Sequence, residues 1–207
     1  MSVTRGVANA LRKHVRHIPS GTFLRTADLA NRFGSRRAVE SALSRLANSD
    51  EPLVRVRNGV YWRSPISRYG KARPRPAAVA RAVCDAGLGP TGWTALHALG
   101  LTTQVPSTEE LAVIGNPPAG IRGVRFSTRS NLERRRLNYR EIAALESLRS
   151  VKPSSPDWDR LATTLSDLDR EGKIRLALVS RVADAEPARV RNAARLLNAT
   201  LKNASAA

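Results

Sequence analysis

The stretch Thr26-Ala27-Asp28-Leu29-Ala30-Asn31-Arg32-Phe33-Gly34-Ser35-Arg36-Arg37-Ala38-Val39-Glu40-Ser41-Ala42-Leu43-Ser44-Arg45-Leu46-Ala47 decides the fold. It reads as two helices around one tight turn. The Thr26 hydroxyl is expected to cap the first helix, and Asp28 sits near the positive end of its dipole. Gly34 stops that helix. Ser35 is placed to cap a second one, residues 36–47, whose Ala38, Val39, Ala42, Leu43 and Leu46 recur at helical spacing as one apolar stripe. The other face carries Ser35, Arg36, Arg37, Glu40, Ser41, Ser44 and Arg45.

Working outward, Leu53-Val54-Arg55-Val56-Arg57, Asn58-Gly59 and Val60-Tyr61-Trp62-Arg63 follow. Alternating residues around Asn-Gly predict a two-stranded hairpin with Arg55 and Arg57 on its wet face. Helix, turn, basic helix and basic hairpin in this order spell a winged helix-turn-helix. Short hydroxyls and guanidinium groups at a helix N-terminus suit major-groove reading, since Arg pairs bidentately with guanine and Ser bonds to bases or phosphates. The candidate DNA-binding residues are therefore Ser35, Arg36, Arg37, Ser41, Ser44 and Arg45 on the helix, with Arg55, Arg57 and Asn58 on the wing. An ordinary amphipathic helix and hairpin with solvated charge would fit each piece alone; the agreement of order, turn and positive face favours the binding reading.

Charge points the same way. Lys and Arg total 35 against 17 Asp and Glu, a net of +18. Residues 1–76 hold 16 basic and 4 acidic side chains, and the remaining residues hold 19 and 13. Such a surface attracts a polyanion by counterion release; contact with six to eight phosphates implies a log-log salt slope of about −5 to −7. No segment has the long apolar face of an interfacial anchor, and residues 86–108, although uncharged, are too rich in Gly and Thr to span a bilayer.

At 207 residues with 42% apolar content, the chain is long enough to fold fully. We expect an α+β, mostly helical protein with residues 1–63 as the winged domain, 64–76 as a basic Pro-containing linker and 77–207 as a mixed α/β domain ending in a helical cluster. Cys84 is the single cysteine, so neither an internal disulfide nor a cysteine zinc cluster is possible, and a cytoplasmic location is expected. The N-terminal stretch interleaves Arg5, Arg12, Lys13 and Arg16 with its apolar residues, unlike a signal core.

Val7, Ala8, Leu11, Val15 and Ile18 predict a support helix over residues 4–18, ended by Pro19-Ser20-Gly21. His14 and His17 lie one turn apart on it; a metal pair is possible, but with no acidic partner nearby a solvated or phosphate-facing pair is preferred. In the linker, Pro65, Pro74 and Pro76 keep the chain extended, and Arg68, Lys71, Arg73 and Arg75 read as plain linker charge in preference to an arm along a DNA backbone.

Downstream, residues 77–86 predict a helix, Thr91 caps a short one through Leu99, and Glu110–Ile114 and Val124–Ser127 predict strands joined as a hairpin through Gly115–Gly123. Asn138 and Glu141 have capping-box spacing. Ser155-Pro156-Asp157 opens a helix carrying Leu161, Leu165 and Leu168, residues 174–183 and 187–201 give two more, and the tail Asn203–Ala207 is expected to fray. Trp93 is expected in the core with His97 hydrogen-bonded at its edge. Arg134-Arg135-Arg136, and Arg189, Arg191 and Arg195, read as wet helix faces, with an extended DNA footprint or an acidic toxin surface as the alternatives.

Ile18-Pro19-Ser20-Gly21, Arg25-Thr26-Ala27-Asp28-Leu29, Gly34-Ser35-Arg36, Ala42-Leu43-Ser44-Arg45-Leu46, Asn58-Gly59-Val60-Tyr61 and then Thr91 through Pro106 resemble the AbiEi-type antitoxins of type IV, abortive-infection toxin-antitoxin pairs. The resemblance implies a promoter-binding autorepressor whose partners are double-stranded operator DNA and a nucleotidyltransferase-like toxin, with no cofactor. Trp93, Leu96 and His97 are the alternative toxin contact. The alternatives are a plain winged-helix transcriptional repressor and, from another class, an enzyme that neutralises the toxin by covalent modification such as phosphoryl transfer. Against the enzyme, the chain lacks a Walker loop, a kinase glycine loop and a His-Arg-Asp stretch. Pro117 and Pro118 also deprive its one Gly-rich segment of backbone N–H groups. Asp157, Asp159, Asp167 and Asp169 read as solvated rather than as a magnesium site.

Overall fold

One apolar stripe organises the first unit. The structure, a computed structural model, describes residues 2–84 and 86–206, and its contacts divide the chain into Met1–Val83 and Cys84–Ala207. In the first unit α1 (Ser2–His17) leads to β1 (Phe23–Arg25), α2 (Thr26–Phe33) and α3 (Arg36–Ala47), then to β2 (Leu53–Arg57) and β3 (Val60–Arg63). The strands form an antiparallel sheet in the order β1-β3-β2. Val7, Leu11 and Val15 of α1 bury against Val39, Ala42, Leu43 and Leu46 of α3, with Leu24, Leu29, Leu53 and Tyr61 completing the core. Ala38 lies at the margin of that stripe, partly exposed.

The turn works as expected at one end and differs at the other. Ser35 Oγ accepts from the Ala38 amide at 3.3 Å, capping α3. Thr26 does not cap α2: Arg25 holds the cap position, and the buried Thr26 hydroxyl has no hydrogen-bond partner among the described residues. The strand β1 runs straight into α2, so the Thr26 amide is taken by the Gly59 carbonyl (2.9 Å) and its side chain turns inward. In the β2–β3 hairpin only Gly59 of the Asn-Gly pair is left-handed (φ 71°), and the register slips between Arg55 and Arg57. The turn is thus a bulged one, which adds twist to the wing.

The segment expected to be a linker is folded. A short hairpin, β4 (Ile66–Ser67) with β5 (Gly70–Lys71), precedes α4 (Pro76–Val83), and all of it belongs to the first unit. Lys71 Nζ lies 3.4 Å from the Ala47 carbonyl, 2.5 Å from that of Ser49 and 3.5 Å from that of Leu53. The C-terminal carbonyls of α3 lack helical donors, and a lysine brought back by the chain supplies them. The helix expected over residues 77–86 ends at Val83, and Asp85 lies outside the described residues.

In the second unit β6 (Gly89–Pro90), β7 (Glu109–Ile114) and β8 (Val124–Arg129) form a sheet in that order, and α5 (Gly92–Ala98) lies between β6 and β7 in sequence. The strands β7 and β8 are parallel, so the expected hairpin through Gly115–Gly123 is instead a crossover. Its nine residues return along a strand of about 20 Å without a helix, through bends and turns at Gly115, Gly120 and Gly123 on either side of Pro117 and Pro118, which cannot continue a helix. A 3-10 turn (Leu132–Arg136), α6 (Tyr139–Ser150), α7 (Asp157–Arg170), α8 (Leu176–Ala183) and α9 (Ala188–Ala206) follow. The tail expected to fray continues α9 through Ala206, and Ala207 lies outside the described residues.

The helix α6 is the hub of that unit. Its capping box is complete: Asn138 Oδ1 accepts from the Glu141 amide (2.9 Å), and Glu141 Oε2 accepts from the Asn138 amide (2.7 Å). Every residue from Glu141 to Leu148 is buried, among α5, β6, α8 and α9. The strand β6 touches α6 so closely that a Cβ at Gly89 would lie 2.5 Å from Ile142 Cβ. The chain is α+β and mostly helical, as its sequence predicts.

Gly34 sits at φ 135°, and a Cβ there would meet Val7 Cγ2 at 3.3 Å. Gly34→Ala is expected to destabilise the protein by about 1–3 kcal/mol. Guanidinium unfolding followed by circular dichroism measures it, and an unchanged midpoint would show the turn to be unstrained.

Candidate nucleic-acid interface

The cations of the first unit fall into two sets. One set is spent on the fold. Arg63 donates to the carbonyls of Val15 (2.8 Å) and Arg16 (3.2 Å) and to Ser20 Oγ (2.6 Å), closing the C-terminus of α1 with a residue of β3. Arg25 Nε donates to the Ala82 carbonyl at 2.8 Å, the end of α4. Arg16 grips Glu51 with two bonds (3.0 and 2.6 Å) and Arg12 lies 3.4 Å from it. The hydrogen bond from Arg16 holds the Glu51 carboxyl below the usual carboxylate range against its partial burial.

The other set faces water. Ser35, Arg36, Arg37, Ser41 and Arg45 are exposed, and Ser44 is half-buried. Among the described residues nothing pairs with the guanidinium groups of Arg36, Arg37 or Arg57. Helical spacing sets Arg37, Ser41 and Arg45 in one row, with Arg36, Glu40 and Ser44 beside it. Arg45 Nε reaches back to the Ser41 carbonyl at 3.3 Å. On the wing, Arg55 Nη2 donates to Asn58 Oδ1 at 2.7 Å, so these two candidates act as one unit while Arg57 projects alone. The exposed Glu40 lies within the basic face, where its carboxylate is an acceptor suited to cytosine N4 and unsuited to phosphate.

The histidines on α1 are not a matched pair. His14 packs against the Phe33 ring with centroids 5.3 Å apart, and burial, helped by Arg32, lowers its pKa. His17 Nδ1 is engaged by the Lys13 carbonyl at 2.7 Å. Among the described residues no cluster of three His, Cys, Asp or Glu side chains is placed to hold a metal. Asp167 pairs with Arg170, and Asp169 Oδ1 accepts from the Leu176 amide at 2.7 Å, starting α8.

A family model covers the polypeptide from residue 10 to residue 127, more than half of the chain. The chain belongs to DUF6088, a family of unknown function. The DUF6088 match takes in α2, α3, the wing and the sheet of the second unit as far as Ser127 in β8. No curated protein shows significant similarity to this chain. Among solved structures, the RV2827C protein from Mycobacterium tuberculosis is similar, with 18% identity and a TM-score of 0.44 over 95% of this chain and 76% of that one. Among the described residues no helix is long and apolar enough to cross a membrane.

Three expectations for the second unit are corrected. Trp93 is 56% exposed rather than in the core, and His97 is exposed beside it. The N-terminus of α5 lifts Trp93 outward because Thr94 and Ala95 take the inner positions. Trp93 and Gln104 border two adjoining hollows of about 280 Å³ each. Arg134 is no wet residue: it is fully buried, with Nη2 2.5 Å from Glu146 and Nε 2.6 Å from Glu186. Arg129 chelates Glu146 (2.8 and 2.7 Å), the Thr91 hydroxyl donates to Glu146 at 2.6 Å instead of capping α5, and Arg149 reaches Glu186 at 2.7 Å.

Two carboxylates thus serve three guanidinium groups. Burial works to raise the Glu146 pKa, yet the Arg129 hydrogen bonds, the Arg134 charge and the Thr91 hydroxyl hold it at about 2. The folded value lies below the unfolded one, so this stabilisation is complete above about pH 4.5 and drains as pH falls towards 2. Acid titration of unfolding free energy should show that loss. Glu146→Gln, which strands Arg129 and leaves Arg134 with Glu186 alone, should cost about 3–5 kcal/mol at pH 7 and flatten the acid limb; an unaltered limb would remove Glu146 as its source.

Proposed function

We propose that the first unit is a winged helix-turn-helix that binds promoter DNA, and that the protein is an autorepressing, cytoplasmic antitoxin of a toxin-antitoxin pair. The observation that carries the DNA reading is the state of Arg36 and Arg37: exposed, unpaired among the described residues, and fixed at the capped N-terminus of a helix whose other side is core. The order α1-β1-α2-α3-β2-β3 supports it, with Arg57 and the Arg55–Asn58 pair on the wing against flanking phosphates. In this reading Arg36, Arg37, Ser41 and Arg45 enter the major groove, and Ser44, half-buried, contributes least.

Arg36→Ala and Arg37→Ala should each cost about 1–3 kcal/mol on the duplex upstream of the protein's own reading frame and relax preference at one position. Arg57→Ala should weaken that duplex and a scrambled one alike. Fluorescence anisotropy over a salt series measures both. Equal losses on both duplexes for every variant would remove the recognition role of α3.

The antitoxin part rests on the resemblance to AbiEi-type chains, which includes Thr91 through Pro106. An exposed tryptophan in that block is a natural anchor for a protein partner, here the nucleotidyltransferase-like toxin. Trp93→Ser should leave DNA affinity unchanged and reduce growth rescue in cells expressing the toxin; full rescue would exclude α5 from the contact.

A further inference from the structure

The β4–β5 hairpin carries two of the most exposed large side chains of the first unit, Ile66 at 65% and Tyr69 at 83%. Strands of two residues each give it little stability of its own. It is held by Lys71 in the carbonyls at the end of α3, and by the buried Ser64, whose hydroxyl lies 2.8 Å and 3.0 Å from the Pro65 and Ala72 carbonyls. The hairpin is therefore fixed to the C-terminal end of the same helix whose N-terminus bears Arg36 and Arg37.

The chemistry of its tip is cationic and flat. The Arg68 guanidinium carbon stands 4.7 Å from the Tyr69 ring centroid, holding both side chains together in solvent. Residues 64–76 contain Arg68, Lys71, Arg73 and Arg75 and no acidic residue. Among the described residues Lys71 is the one of these whose side chain is hydrogen-bonded into the fold, and Arg68, Arg73 and Arg75 have no acidic partner. Exposed aromatic surface beside uncompensated cations fits a polyanion that also offers flat apolar surface, as a nucleic-acid groove does.

Length supplies the rest. The 12 residues of α3 make a rod of about 18 Å, while the major groove is about 12 Å wide. With Arg36 to Arg45 along the groove, the chain that follows Ala47 stands over a flanking phosphate ridge, beside the next minor groove. We propose that the β4–β5 hairpin is a second DNA contact, with Arg68 and Tyr69 at the edge of that minor groove and Arg73 and Arg75 on its phosphates. An arginine held in place by a ring suits a narrow A·T-rich minor groove, whose potential is the more negative. This inference rests on the DNA reading of α3.

The test compares the full-length chain with Arg68→Ala/Tyr69→Ala, both exposed positions, and with Arg36→Ala. The probes are the upstream duplex, a copy with G·C-rich flanks, and a scrambled duplex. The double variant should bind the upstream duplex roughly tenfold more weakly, with a salt slope smaller by about one. Wild type should lose affinity on the G·C-flanked copy while the double variant does not, and hydroxyl-radical protection should vanish on one flank and persist at the centre. Unchanged affinity and footprint in the double variant, with Arg36→Ala still impaired, would overturn the hairpin contact and leave the α3 reading intact. Failure of wild type to prefer the upstream duplex would overturn both. Dissociation of a wild-type dimer by the double substitution, with footprint unaltered, would mean that the tip meets a second copy of the chain, and would overturn the contact too.

Discussion

Burial of the α3 stripe against α1 fixes which way α3 faces, and almost everything else about the first unit follows from that. Val39, Ala42, Leu43 and Leu46 can be covered only if Arg37, Ser41 and Arg45 point away from the core. A rotation of the helix by one residue position would expose leucine and bury guanidinium groups without partners, at several kcal/mol per group. The apolar contacts therefore set the orientation of the charges, although they contribute nothing to a polyanion's affinity. Gly34 and Ser35 add the starting point: one lets the chain reverse, and the other fixes where the helical amides begin.

A similar economy governs the cations around that core. Helix C-termini leave carbonyls without donors, and this unit answers three of them with long basic side chains from elsewhere in the chain: Arg63 for α1, Lys71 for α3 and Arg25 for α4. Such contacts are short and local, so salt screens them weakly. The exposed set, Arg36, Arg37, Arg57, Arg68, Arg73 and Arg75, has no acidic partner among the described residues and carries the field that reaches into solvent. Ionic strength should therefore act on partner binding well before it acts on the fold.

Much of this was legible in the sequence where the deciding contacts are local. Stripe spacing, the Gly34-Ser35 stop and start, Asn58-Gly59, and the Asn138–Glu141 box each involve residues close together in the chain. What was not legible depends on distant partners. Arg134 is flanked by Arg135 and Arg136, which look the same in sequence, and only Glu186 and Glu146 in the folded unit single it out. Lys71 looked like linker charge because its acceptors, the carbonyls of Ala47, Ser49 and Leu53, lie about twenty residues back, at the end of α3 and just after it. Trp93 looked like core because tryptophan usually is, and whether Thr94 and Ala95 rather than Trp93 face inward depends on how α5 meets α6. The parallel pairing of β7 and β8 was hidden because nine residues suffice for either a loose hairpin or an extended crossover.

The buried ion network in the second unit bears on why that unit has one structure rather than several. Arg129 and Arg134 come from β8 and the turn after it, Glu146 and Arg149 from α6, and Glu186 from the link between α8 and α9. An ion pair so placed adds little net stability, because desolvation offsets most of its attraction. Misplacement is far more costly: a register slip on any of these elements leaves a carboxylate or a guanidinium group buried alone. Apolar neighbours such as Leu145 and Leu148 tolerate small slides, whereas the bidentate Arg129–Glu146 pair does not. Stability of the second unit thus comes mainly from the apolar packing around α6, and the charges select which of the possible packings is occupied.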